Sequence, residues 1–173
     1  MKTTNFNWGD ETINSRDIIA REEELTEDRN NLVELIEAAE EDYDAFIKEN
    51  GLTDYNEDGV RSLQELQEEV NGTKSDLAMF NTEYEDDLEL LQDIISQGED
   101  SPDWSYGETL IHEKYFIAYI EELIHDCYEM PKEFNEGKWP FNHLNFDFEG
   151  AAEEAKSDYS TIEAGGETYY IRA

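Results

Sequence analysis

Two long stretches of this chain carry an apolar residue at every seventh position, with acids the commonest residues between them. In the first, Ile18, Leu25, Leu32, Ala39 and Phe46 share one row, widened by Leu35, Ile36, Tyr43 and Ile47. In the second, Leu63, Val70, Leu77, Tyr84 and Leu91 share a row, and Leu66, Phe80 and Ile94 stand beside it, interrupted by Thr73 and Asp87. A seven-residue period keeps side chains on one side of an α-helix, so each stretch predicts an amphipathic helix with one stripe to bury. The first starts at Asn14-Ser15, whose side chains suit an N-cap, has Asp17 in its first turn, and stops at Asn50-Gly51. The second runs from about Val60 to Ser96; the register survives across Asn71-Gly72-Thr73, which fits one kinked helix, while Asn-Gly as an exit and Ser75 as a new cap favour a break there. Paired antiparallel, the two bury their stripes as a helical hairpin or short coiled coil.

The faces left over are almost pure carboxylate. The 173 residues hold 46 Asp and Glu against 12 Lys and Arg, a formal net charge of −34. Residues 1 to 103 carry 31 acids and 7 bases, and residues 104 to 173 carry 15 and 5, so the excess is no acidic tail on a neutral domain. Small soluble domains hold net charge to a magnitude of roughly 2 to 8, and exposed helices ordinarily alternate acids with Lys or Arg to gain i,i+4 pairs. Here about one carboxylate falls every 2 to 2.5 Å of hairpin axis, close to the one charge per roughly 1.7 Å of duplex DNA. Such a surface excludes direct contact with nucleic acid or anionic membrane, since phosphates need cations, and it fits a basic protein partner. The partner-binding candidates are Glu22, Glu23, Glu24, Glu27, Asp28, Glu34, Glu37, Glu40, Glu41, Asp44, Glu68, Glu69, Glu83, Asp86 and Asp87.

A chain this charged, with a mean hydropathy of −0.83, invites a disordered reading. Three Trp, ten Tyr and eight Phe argue for a packed core instead. The lone Cys127 permits no internal disulfide and is expected in the core; with no apolar leader or membrane-length run, a cytoplasmic setting is expected.

Composition changes after Gly98. Residues 97 to 103 read as a linker, dividing the chain into an acidic helical hairpin or coiled-coil region at 1–103 and a small module at 104–173. In the module a helix is expected from about Ile111 to Met130, with Phe116, Ile120, Leu123, Ile124 and Cys127 on one face and Pro131 as its stop. Asp147 caps a short helix through Ala151, Ala152 and Ala155, and Ala164-Gly165-Gly166 joins two strands, 159–163 and 167–172, as a hairpin. The fold class is therefore α+β, mainly α.

Trp104-Ser105-Tyr106-Gly107-Glu108-Thr109-Leu110-Ile111, Tyr115-Phe116, Glu121-Glu122-Leu123, Lys138-Trp139-Pro140, Phe146-Asp147-Phe148-Glu149, and the ending Ser157-Asp158-Tyr159-Ser160 with Gly166-Glu167-Thr168-Tyr169-Tyr170-Ile171-Arg172 make a pattern. That pattern resembles a family of small acidic phage and prophage proteins, some described as antirestriction proteins, and its end is loosely similar to ArdA-type antirestriction proteins. The resemblance covers roughly the last 70 residues; the helical hairpin before it departs from ArdA. It implies a catalytically inert mimic of double-stranded DNA that occupies the DNA-binding groove of a bacterial defence complex, of restriction-modification or CRISPR type, in the host cytoplasm.

Other chemistry is weakly signalled. Residues 54 to 65 fit the spacing of an EF-hand calcium loop, with Asp54, Asn56, Asp58 and Glu65 as oxygen ligands and Gly59 at the turn. Arg61 at an apolar position, the early stop at Asn50-Gly51 and the want of a second loop count against it. His112, His125 and His143 form no zincin pair, His125 cannot face Cys127 on a helix, and no phosphate loop or nucleophile elbow appears. No enzyme, cofactor or metal centre is expected. Two alternatives to the DNA mimic stay open: an acidic scaffold whose N-terminal coiled coil forms a homodimer, and a calcium-binding module.

Overall fold

The computed structural model describes residues 6–50, 62–129 and 132–173. The fold is α+β and mainly helical. Its long elements are α1 (Ser15–Asn50) and α2 (Leu63–Gly98), followed by the short helices α3 (Trp104–Gly107), α4 (Phe116–Cys127), α5 (Lys132–Asn135) and α6 (Phe148–Ala155). Four strands, β1 (Thr12–Asn14), β2 (Thr109–His112), β3 (Tyr159–Ala164) and β4 (Glu167–Arg172), form one antiparallel sheet in the order β1-β2-β4-β3. The chain divides into two compact units, residues 1–20 with 92–173, and residues 21–91. The division differs from the expected one at residue 103 because β1 pairs with β2, Ile13 opposite Leu110, drawing the N-terminal segment into the sheet unit.

The sheet unit buries both faces of its sheet. Strand partners share a face, so Ile111 and Tyr170 point together and pack with Phe116 and Ile120 of α4 and Ala152 of α6. Leu110, Ile162, Tyr169 and Ile171 point the other way and are also buried, as are Ile18 and Ile94 at the ends of the long helices that belong to this unit. Ser15 is a buried tie rather than a cap: its hydroxyl donates to the Trp104 carbonyl at 2.6 Å. Asn14 takes the capping part, its side-chain oxygen accepting from the Arg16 N–H at 3.0 Å. The expected cap at Asp147 is present, accepting from the Gly150 N–H at 2.9 Å. The expected hairpin is present too, with Gly165 and Gly166 both at positive φ (61° and 84°), which a two-residue turn between twisted strands requires.

Three expectations in this unit need correction. The segment Thr109–His112 is a strand rather than the start of a helix, and a 3-10 turn over Glu113–Tyr115 precedes α4. Its β-branched and apolar run, Thr-Leu-Ile, is short enough to suit either state, and pairing on both sides with β1 and β4 decides it. The helix that follows ends at Cys127, whose side chain is exposed rather than in the core, because α4 runs on past Phe116 and Ile120, its only buried residues. Residues 97 and 98 are the last of α2 rather than the start of a linker.

The other unit, residues 21–91, is made of the two long helices. Arg21 reaches Tyr84 and Glu40 reaches Lys74, so positions advance along α1 as they recede along α2 and the helices run antiparallel. Leu25, Ala39 and Phe46 of α1 and Leu66, Val70 and Leu91 of α2 are buried, as the heptad rows predict, whereas Leu32, Leu77 and Tyr84 are half-buried. The expected break at Asn71-Gly72-Thr73 does not occur, and α2 is continuous through it. The heptad register is kept across the glycine, and Thr73 folds its hydroxyl back onto the Val70 and Glu69 carbonyls at 3.1 and 3.2 Å instead of opening the helix.

Candidate functional site

The acids expected to meet a partner all lie on the two helices of the 21–91 unit. Because the apolar rows occupy one side of each helix, the intervening positions are turned to solvent: Glu23, Glu27, Glu34, Glu37, Glu40, Glu41, Asp44, Glu68, Glu69, Glu83, Asp86 and Asp87 are exposed. Glu22, Glu24 and Asp28 are half-buried.

Cations already engage Glu24 and Glu40 among the predicted acids. Glu24 pairs with Arg21 at 2.8 Å, and Glu40 with Lys74 at 2.6 Å. Glu22 accepts from the Thr26 hydroxyl at 3.0 Å. A hydrogen bond to Glu83, aided by burial, raises the Tyr84 phenol, so the ring stays neutral beside its acidic neighbours. Asp76, Glu85 and Glu89 are equally exposed members of the same surface that sequence reasoning passed over, although the same heptad register places them outward. The described part of this unit holds twenty-one acids and four bases. Its helical segments are each roughly 45 Å long at the helical rise, so the net charge falls about once every 2.6 Å, against roughly 1.7 Å for duplex DNA.

No protein family, curated protein or solved structure matches this chain.

Of the calcium-loop candidates, Asp54, Asn56 and Asp58 lie outside the described residues. Glu65 is described and closes a capping box at the start of α2: its carboxylate accepts from the Ser62 N–H at 2.8 Å, and the Ser62 hydroxyl accepts from the Glu65 N–H at 3.1 Å. Among the described residues no three His, Cys, Asp or Glu side chains converge as metal ligands. His112 is a buried part of the sheet unit, accepting from the Lys114 N–H at 3.1 Å through Nδ1 and placing Nε2 3.4 Å from Glu167. No described helix is long and apolar enough to cross a membrane.

Proposed function

We propose that the protein is a catalytically inert double-stranded-DNA mimic that occupies the basic DNA-binding groove of a bacterial defence complex. The observation that carries this reading is the strong excess of outward acids on α1 and α2, with two of the four bases in the described part of the unit, Arg21 and Lys74, held in ion pairs within it. A helix needing only solubility gains more from mixed charges, which add i,i+4 pairs and relieve self-repulsion. A nearly one-signed surface instead presents a partner with a summed field, and a groove built for phosphates is the protein surface most complementary to it. The antirestriction-like pattern in the last 70 residues points the same way and leaves the type of complex, restriction-modification or CRISPR, to be assigned.

The experiment is displacement of a labelled DNA duplex from purified restriction and CRISPR effector complexes across a salt series. Competition that weakens as salt rises is expected, because both charged surfaces are screened. Failure to displace DNA from any of them, or binding indifferent to salt, would overturn the reading and favour the acidic scaffold.

A further inference from the structure

A cavity of about 390 Å³ opens at one end of the sheet unit. Its floor is Ile111 of β2, and its walls include the rings of Tyr106, Tyr119 and Tyr159, the carboxylates of Asp103 and Glu108, and Arg172 at the end of β4. The topology explains the assembly. Tyr159 pairs with Arg172 and Ile111 with Tyr170, so Tyr159, Arg172 and Ile111 all point to the face that α4 covers. Tyr119 is the residue of α4 that lines the cavity, and the 103–109 segment supplies Asp103, Tyr106, Gly107, Glu108 and Thr109.

The lining has a definite chemical preference. Tyr159 meets Phe116 edge-on at 5.0 Å, which fixes its ring against the core, while Tyr106 stands free at the rim, 75% exposed. Burial, reinforced by the neighbouring Tyr119 phenol and opposed by Arg172, pushes the Tyr159 phenol up to about 12, so the ring presents a neutral face at physiological pH. Asp103 makes no capping hydrogen bond to α3, so its carboxylate is not consumed locally. Arg172 makes no ion pair among the described residues, and two carboxylates against one guanidinium leave the cavity net negative. Anions are therefore disfavoured, and a planar, weakly hydrated cation that can stack on phenol faces and fork onto a carboxylate is favoured.

We propose that this cavity receives an arginine side chain of the basic partner, with its guanidinium between Tyr106 and Tyr159 and paired to Asp103. The proposal rests on the DNA-mimic reading for the source of the arginine, and it adds to a diffuse acidic field one shaped contact. Such a contact would give specificity among basic proteins that charge alone does not.

The test is an NMR titration of the full ¹⁵N-labelled chain with N-acetyl-arginine-N-methylamide at physiological salt, with the matching tyrosine and aspartate amides as controls. Saturable shifts are expected at residues 103–111, 119, 159 and 172, with a Kd on the order of millimolar. Asp103→Asn and Tyr106→Ala should each weaken binding about threefold to fivefold at unchanged melting temperature. Shifts spread evenly over α1 and α2, or absent from the cavity, would overturn the proposal while leaving DNA competition untouched. Equal binding of the tyrosine or aspartate amide would overturn it too. Loss of DNA competition with intact arginine binding would instead sink the mimic reading alone.

Discussion

The side-chain amide of Gln97 pairs with the backbone of Glu163 as a neighbouring strand would: its oxygen accepts from the Glu163 N–H at 3.0 Å and its nitrogen donates to the Glu163 carbonyl at 3.2 Å. β3 is an edge strand, with β4 on one side only. An open edge is a template for pairing with other chains, and one glutamine at the end of α2 satisfies both backbone groups of a residue on it. The same bond pair ties the last turn of the long helix to the sheet within one unit.

Gln97→Ala should therefore cost about 1 kcal/mol, the usual net value of hydrogen bonds at a partly solvated site. Urea unfolding followed by circular dichroism would measure it, and amide exchange at Glu163 should accelerate more than at Ile162, whose N–H faces β4 in its pairing with Tyr169.

The two glycines of α2 make opposite predictions. Around Gly72 nothing lies within 4 Å of where a Cβ would stand, so Gly72→Ala should stabilise the protein by about 1 kcal/mol through helix propensity alone. At Gly98 a Cβ would collide with the ring of Trp104, itself buried, so Gly98→Ala should destabilise by at least about 2 kcal/mol. Thermal melts of the two variants should move in opposite directions.

These contrasts mark what a sequence can and cannot reveal. The heptad rows foretell α1 and α2 because burial at Leu25, Phe46, Leu66 and Leu91 is periodic and local. The cap at Asp147 and the turn at Gly165-Gly166 are legible for the same reason, since their chemistry lies within four residues. The other half of the sheet is not legible, because β1 and β2 are three and four residues long and exist only by pairing across some hundred residues of chain. The candidate acids are readable one by one, yet the ion pairs that engage Glu24 and Glu40 differ in kind. Arg21 and Glu24 are neighbours on one helix, whereas Lys74 meets Glu40 only after the hairpin closes. The tyrosine-lined cavity combines residues from the 103–108 turn, β2, α4, β3 and β4, and no local spacing announces it.

Alkaline pH should loosen the sheet unit. The Tyr159 phenol has its folded value raised to about 12 from 10.0, chiefly by burial, and Tyr169 is raised in the same direction, again chiefly by burial. In the folded state these groups hold their protons more tightly than in the unfolded chain, so their contribution is fully present below pH 10 and is lost as pH rises toward 12. Ultraviolet titration of phenolate should show late-ionising tyrosines, and Tyr159→Phe should remove one of them and flatten the fall in melting temperature across that window.

Charge and core substitutions should separate function from stability. Glu23, Glu27, Glu34, Glu37 and Glu41 are all exposed, and changing any one to Gln removes a screened charge worth roughly 0.2 to 1 kcal/mol against a basic partner. All five together should weaken DNA competition at least about tenfold and flatten its salt dependence. The melting temperature should hold or rise, because self-repulsion in the 21–91 unit falls. Leu25→Asp is the counterpart: Leu25 is 2% exposed, and an unpaired carboxylate in that seam should cost several kcal/mol, beyond the roughly 1.5 to 3 kcal/mol of lost apolar burial. It should melt the helical unit and abolish competition together. Leu32, in the same heptad row but half-buried, should tolerate Asp better, since its side chain can turn the charge toward water. Competition assays and thermal melts on the three proteins would place each effect. A five-fold neutralised protein that competes as well as the original would mean that the acidic faces serve solubility and that the binding surface lies in the sheet unit, around Tyr106.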